Sequence, residues 1–389
     1  MSKARDGVRI LHFFRQIVVA AMLLSCAAFA ASVEEGVTDN TILIGQTVGL
    51  TGTIAGAVKE MNEGAHAYLA SVNKQGGVHG RRIELRILDD KFSPALAAAN
   101  AETLIKKEHV FVLFQSRGTP QTEAILPILA ANNVPLVAPS TGGEMFHTPV
   151  NRWVFNVRAK YQDEIVKGIE HFAGAGIKNI GLLTYDKDDP LGSDGVAGFS
   201  KGMTAFKLTP AIIVLFPRLK PDFNATAAKL IAANLEALIV VSSGENTVEI
   251  IKAIHAQGGK MRIMTMSNNS TQKFASDLGP AGRGVVMTQV TPAPHLVSSV
   301  LGQEFKAAAA KTGATASYAA MEGFVSAKVL VEGLRRAGRN PTRESFIRGL
   351  EAMQKVDLGG LMVTYGPDDH TGSEFVELTM IGKDGQLVR

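Results

Sequence analysis

From Thr41 onward the chain alternates between two periodicities. Short β-branched and aliphatic runs predict strands at Ile42 to Leu50, Arg82 to Leu88, Val110 to Phe114, Val134 to Ala138, Ile180 to Tyr185, Ala211 to Phe216, Ala237 to Val241, Arg262 to Met266 and Val285 to Gln289. Between them, Ala-rich segments with apolar residues at helical spacing predict helices at Lys59 to Asn73, Pro94 to Lys107, Thr119 to Asn132, Gln162 to Ala173, Ala225 to Ala233 and Thr247 to Gln257. Strands that alternate with helices imply βαβ units and parallel sheets, an α/β fold. The alternation breaks once, at 139–152, which is rich in Pro, Gly, Ser and Thr, and resumes after a short extended segment, Trp153 to Arg158. Four βα units precede the break and about five follow, the pattern of two similar lobes joined by a crossover. Helix-rich sequence from Leu296 to Gln354 returns to the first lobe, and a last strand is expected near Phe375 to Met380. In open α/β sheets ligands bind beyond the carboxyl ends of the strands, so the cleft between two such lobes is the expected site.

Composition agrees with a globular chain. Of 389 residues 46% are hydrophobic and 20% charged, too apolar for a disordered chain, and the length suits two cores. One cysteine allows no internal disulfide and no Cys-rich zinc site. The formal charge of +4 and a pI near 9.0 point at first to nucleic acid or an anionic membrane. The position of the charges removes that reading. Lys3, Arg5, Arg9 and Arg15 precede an apolar run from Ile17 to Leu24 that ends in Ala28-Phe29-Ala30, a secretory signal over residues 1–30 with cleavage expected after Ala30. Leu23-Leu24-Ser25-Cys26 also fits a lipobox, so lipid attachment at Cys26 is the competing route. Without residues 1–30 the 40 basic and 36 acidic residues become 36 and 35, a formal +1. The mature protein is then expected in the periplasm, bound to no nucleic acid and touching the membrane only through a protein partner or a lipid on Cys26.

Reactive chemistry is sparse. The nine histidines are scattered without metal-ligand spacing, so no metal is expected. The acidic stretch Asp186 to Gly192 has Pro190 at the fifth position of a would-be calcium loop and Ala197 at the twelfth, where a bidentate Glu is needed; it reads as a βα turn with helix-capping carboxylates. Phosphate and dinucleotide fingerprints and a nucleophile–base pair are all missing, so neither a cofactor nor an enzymatic activity is expected.

Several motifs, in order and spacing, carry a resemblance. They are Ile44-Gly-Gln-Thr-Val-Gly-Leu-Thr-Gly52, Gly64-Ala65, Val72-Asn-Lys-Gln-Gly-Gly-Val-His-Gly80, Leu88-Asp-Asp90, Arg117-Gly-Thr-Pro120 and Val134-Pro-Leu-Val-Ala-Pro-Ser-Thr141. With them the chain resembles the type I periplasmic solute-binding proteins of ABC importers, in the branched-chain amino-acid class, from Thr41 to about Arg389. The resemblance implies two Rossmann-like lobes joined by a three-strand hinge, with 41–158 and 290–358 as the N-terminal lobe and 159–289 and 359–389 as the C-terminal lobe. It further implies a monomer that closes on a small solute and delivers it to an ABC permease in the inner membrane. A sensing role, with the same fold reporting to a receptor, is the alternative.

The resemblance also places the ligand. The loops Gln115 to Pro120 and Pro139 to Gly143 would hold its carboxylate through Gly118, Thr119, Ser140 and Thr141, and Gly118-Thr119 opening a helix suits an anion physically. Capping alone is the other reading of Thr119. Tyr161 is a stacking or hydrogen-bonding candidate. Where branched-chain binders carry aromatic residues this chain has Ala57, Leu191 and the Ser242-Ser243 region, with Ser243 assigned to the site. Where they carry the acid that pairs with the ligand ammonium it has Asn268. Glu245 is the nearby acid that could replace it, although its position at a helix start favours capping. A retained carboxylate half and an altered ammonium half favour an acid without an α-amino group.

Overall fold

Strands buried on both faces have no polar alternation, and that is how the central segments of this chain read. Every residue of Ile180–Tyr185 and Ala237–Val241 is buried, as a parallel sheet covered by helices on both sides requires. The computed structural model describes residues 34–388; the export segment, Cys26 and the cleavage point lie outside the described residues.

The first lobe begins with β1 (Thr41–Val48), α1 (Ala55–Lys74), β2 (Arg82–Asp89), α2 (Pro94–Lys106), β3 (Val112–Phe114), α3 (Thr119–Asn132), β4 (Leu136–Val137) and β5 (Val154–Phe155). Its five strands pair in parallel in the order β2-β1-β3-β4-β5. Strands β3 and β4 each begin two residues later than their apolar runs, and Gln115 (φ 49°) and Ala138 (φ 56°) turn left-handed where the ladders end. The second lobe follows with α4 (Tyr161–Gly174), β6 (Ile180–Tyr185), α5 (Pro190–Ala205), β7 (Ile212–Phe216), α6 (Phe223–Ala232), β8 (Ala237–Val241), α7 (Glu245–Ala256), β9 (Arg262–Thr265), α8 (Gln272–Leu278) and β10 (Val286–Gln289). Helix α5 starts where the acidic turn predicts: Asp189 accepts from the Leu191 and Gly192 amides, with Pro190 in the first turn.

The chain then returns to the first lobe through α9 (Val300–Thr312), α10 (Tyr318–Arg336) and α11 (Arg343–Glu351), and through a small antiparallel sheet of β11 (Val356–Asp357), β12 (Met362–Gly366) and β13 (Asp369–Gly372). Only then does it re-enter the second lobe as β14 (Glu377–Ile381) and β15 (Leu387–Val388), which complete the order β15-β14-β10-β9-β8-β6-β7. The small sheet packs on the first lobe: Leu361, Val363 and Tyr365 lie in its core, and His370 stacks on Phe155 with ring centroids 3.9 Å apart.

Three connections join the lobes, after β5, after β10 and before β14. The first and third are tied together, since the Asn156 amide and side-chain Nδ2 both donate to the His370 carbonyl, at 2.9 and 3.2 Å. Within the first lobe, α1 and α10 cross with their backbones almost touching. A Cβ on Gly64 would lie 1.7 Å from the Ala320 carbonyl oxygen, and one on Gly323 would lie 1.9 Å from that of Met61. Both clashes are with main chain, which cannot swing aside. We expect Gly64→Ala to lower stability by about 2–3 kcal/mol, read as a drop in urea midpoint; an unchanged midpoint would mean that the two helices separate freely.

Candidate functional site

The loops at the carboxyl ends of the strands face each other across a cleft, as open α/β sheets dictate. A cavity of about 420 Å³ lies there, lined from both lobes, a size that suits a small organic molecule.

On the first-lobe wall, Gly118 has φ 96° and leads into α3. A Cβ there would meet Gln121 Oε1 at 2.2 Å and Phe92 at 2.6 Å, so glycine is required. Gly118 is the cap position and makes no side-chain capping bond; Thr119 is the first helical residue. The Thr119 hydroxyl lies 2.8 Å from the Thr141 hydroxyl, and Thr141 Oγ1 accepts the Gly143 amide at 3.3 Å. Either hydroxyl can donate that bond, and when Thr141 does, the Thr119 proton is left for the cavity. Arg117 is buried yet lines the same wall. Its Nη1 donates to Ser140 Oγ at 2.8 Å, and its Nη2 crosses the cleft to the Asn268 carbonyl at 2.8 Å.

Behind Arg117 the charges continue into the hinge. Ser140 Oγ donates to Glu322 Oε1 at 2.8 Å, so its only proton is committed. Glu322, on α10, lies 3.8 Å from Arg158 Nη1 in the first connection. Arg158 Nη2 binds Glu164 of α4 at 2.5 Å and Ser267 Oγ at 2.6 Å. Glu164 also accepts the Ser267 amide at 2.9 Å and the Thr288 hydroxyl. Burial works against the charged form of Arg158, but Glu164 and Glu322 outweigh it and hold its pKa above the ordinary arginine value. For Arg117 burial dominates over Glu322, and its pKa is lowered.

The second-lobe wall carries Tyr161, Leu191, Ser243, Asn268 and Arg218. The Tyr161 amide donates to the Gly142 carbonyl at 2.8 Å, which ties the start of α4 to the first-lobe loop. Arg218 is clamped by Asp189 at 2.5 and 2.8 Å, and its guanidinium stacks over the Tyr185 ring at 4.0 Å. Further inter-lobe bonds run from the Gln272 and Lys273 amides to the Glu60 carboxylate, at 3.3 and 3.4 Å, and from the Glu144 amide to Asp194 at 3.1 Å.

Of the residues assigned from sequence, Gly118, Thr119, Ser140, Tyr161, Leu191, Ser243 and Asn268 line one cavity, together with Ala57 and Glu245. Thr141 stands behind Thr119 and reaches the cavity only through it. Ser242 is buried and turned away, its hydroxyl 2.7 Å from that of Thr247. Sequence reasoning missed Arg117, Arg218, Phe92, Lys273 and Phe274. A signal for Arg117 was present, because a cation directly before a helix-opening Gly-Thr already marks an anion site. Arg218 had none, since its wall is reached through the edge strand β7. Among the described residues no His, Cys, Asp and Glu cluster is arranged to hold a metal ion, and no helix is long and apolar enough to cross a membrane.

Removing Glu322 leaves Arg117 and Arg158 short of a counter-ion in a buried site. Glu322→Ala is expected to cost about 3–5 kcal/mol, measured by calorimetric unfolding beside Glu102→Ala, which breaks the exposed pair of Glu102 with Lys106; equal shifts for the two would deny the network its structural weight. A second buried acid, Asp90, borders the loop that carries Phe92 and accepts from the Phe92 amide and the Thr47 hydroxyl. Burial pushes its pKa up from 3.8 to about 6 against those two bonds. Ionisation therefore destabilises the folded state as pH rises between those two values. Asp90→Asn should exceed the native chain in stability at pH above about 6, by on the order of 2 kcal/mol, with the gap closing as pH falls towards 4. Urea midpoints at the two ends of that range check it, and a constant gap would contradict it.

The fold has known counterparts. The sequence pattern of the periplasmic binding protein family matches residues 41–386. The Leu/Ile/Val-binding protein homolog 3 of Brucella melitensis is 24% identical over 399 residues, covering 94% of this chain and 98% of that protein. A substrate-binding periplasmic protein from Ralstonia solanacearum superposes with a TM-score of 0.82 at 29% identity, covering 89% of this chain and 99% of that one. A solute binding protein of an ABC transporter from R. palustris, in complex with benzoate, has the same fold, with a TM-score of 0.78 at 19% identity over 90% of this chain and 95% of its own. The chain belongs to the periplasmic binding protein family, among the type I members similar to the branched-chain amino-acid binders.

Proposed function

We propose that this protein is the extracytoplasmic solute-binding component of an ABC importer, capturing a small carboxylate-bearing ligand, an amino acid or an aromatic or other organic acid. It works in the periplasm as a monomer and hands its ligand to an inner-membrane permease. The observation that carries this reading is Arg117, a buried guanidinium on the cavity wall beside the Thr119 hydroxyl and the opening turn of α3. Guanidinium, hydroxyl and helix amides together are a carboxylate receptor. Relatives and structural neighbours named for leucine, isoleucine, valine and benzoate share that group in their ligands. Capture follows by mass action: a ligand that touches both walls favours the closed arrangement, and the closed form presents both lobes to the permease. Purified protein should show a raised melting temperature with at least one carboxylate from a panel of amino acids and organic acids. Arg117→Ala should weaken that ligand by about 100-fold and Thr119→Ala by about tenfold, measured by titration calorimetry. Normal affinity in both variants would move the anion site elsewhere.

A further inference from the structure

Arg218 is a cation in the cavity wall that carboxylate capture leaves without a task. It reaches the wall from the loop after β7, and its guanidinium is fixed from three sides. Asp189, which caps α5, takes the Nε and Nη2 edge at 2.5 and 2.8 Å. Nη1 lies 3.5 Å from Ser243 Oγ. One face of the plane rests on the Tyr185 ring, 4.0 Å from its centroid. Asn246 Nδ2 steadies both members of the stack, donating to the Tyr185 hydroxyl at 3.2 Å and to the Arg218 carbonyl at 3.0 Å. The surface left open follows by elimination. Tyr185 is 1% exposed and lines no part of the cavity, whereas the Arg218 side chain is 23% exposed and does line it. The guanidinium therefore covers Tyr185 and turns its other face to the cavity.

We propose that the cleft is selective for aromatic carboxylates, whose ring stacks on the open face of Arg218 while Tyr185 backs the other; this rests on the carboxylate-capture reading above. A guanidinium donates hydrogen bonds along its edges and not from its face, and what its face attracts is a π-system. Arg218 and Arg117 stand on opposite walls of one cavity, so a ligand that fills it meets both. An aliphatic tail would strip water from the Arg218 face and return no electrostatic contact. A second carboxylate would find the Arg218 charge already balanced by Asp189. An uncharged ring has neither fault, and Phe92, Leu191 and Phe274 supply apolar wall for the rest of it.

Two matched pairs test this by titration calorimetry, benzoate against cyclohexanecarboxylate and 3-phenylpropanoate against 3-cyclohexylpropanoate. In each pair the saturated ring is the larger and more apolar, so burial alone would favour it. In the preferred pair the aromatic acid should bind about tenfold tighter than its saturated partner. The 3,4,5-trifluoro form of that acid, whose fluorines draw charge from the ring face, should bind more weakly than its parent. Arg218→Met keeps an unbranched stem and removes both plane and charge, and should bring the ratio of aromatic to saturated affinity towards one; its urea midpoint, read alongside, reports whether it folds. Saturated acids that match or exceed their aromatic partners on the native chain would overturn the inference while leaving carboxylate capture standing, and so would an aromatic preference that survives in a folded Arg218→Met. Binding of no acid in either pair would overturn both.

Discussion

The two lobes meet around a buried arginine. Arg158 sits in the first connection, almost fully shielded, and reaches Glu164 on the second lobe and Glu322 on the first. A lone guanidinium in such a place would be prohibitive, so the arrangement exists only when both acids, and hence both lobes, are in position. Buried ion pairs are weak sources of net stability compared with apolar packing, but they are intolerant of misplacement. Here that intolerance falls on the hinge, the part of a jaw whose geometry matters most. Through Ser140 the same set of charges extends to Arg117, so the Arg117 wall of the cleft and the inter-lobe connection share one hydrogen-bonded chain.

That chain also sets the electrical character of the cleft. Second-lobe charges near the cavity are largely paired among themselves, Arg218 with Asp189 and Lys273 with Asp277. Arg117 differs, because its nearest acid is held one hydroxyl away and is shared with Arg158. The cavity is therefore a mostly neutral, partly apolar space with one desolvated cation in its wall, and Phe92, Leu191 and Phe274 supply the apolar surface. Such a space favours an amphipathic anion over a fully hydrated ion, since the apolar tail gains burial while the anionic end keeps a matched partner.

Much of the fold could be read from periodicity, because a parallel sheet covered on both faces leaves unbroken apolar runs such as Ile180 to Tyr185. The ends of elements were less legible. Gln115 and Ala138 carry ordinary strand-compatible side chains, and only the tight exit into the cleft loops gives them positive φ. The packing of residues 359–372 is not legible either, because nothing local shows that Val363 and Tyr365 reach the first-lobe core. In the site, Gly118 and Thr119 were visible as a helix opening. The roles of Arg158, Glu164 and Glu322 were not, because an ion network among residues 158, 164 and 322 is a product of tertiary packing and leaves no mark on spacing.

The close crossing of α1 and α10 bears on the order in which the molecule can assemble. Gly64 meets Ala320, and Gly323 meets Met61, across more than half the length of the chain. The N-terminal lobe therefore begins early in synthesis but cannot seal its core until α10 has been made, whereas the second lobe draws five of its seven strands from a continuous middle segment. Contacts of such long sequence separation form late. The half of the chain that leaves the ribosome first is thus the half whose core closes last, and its apolar helix face stays open until the C-terminal helices arrive.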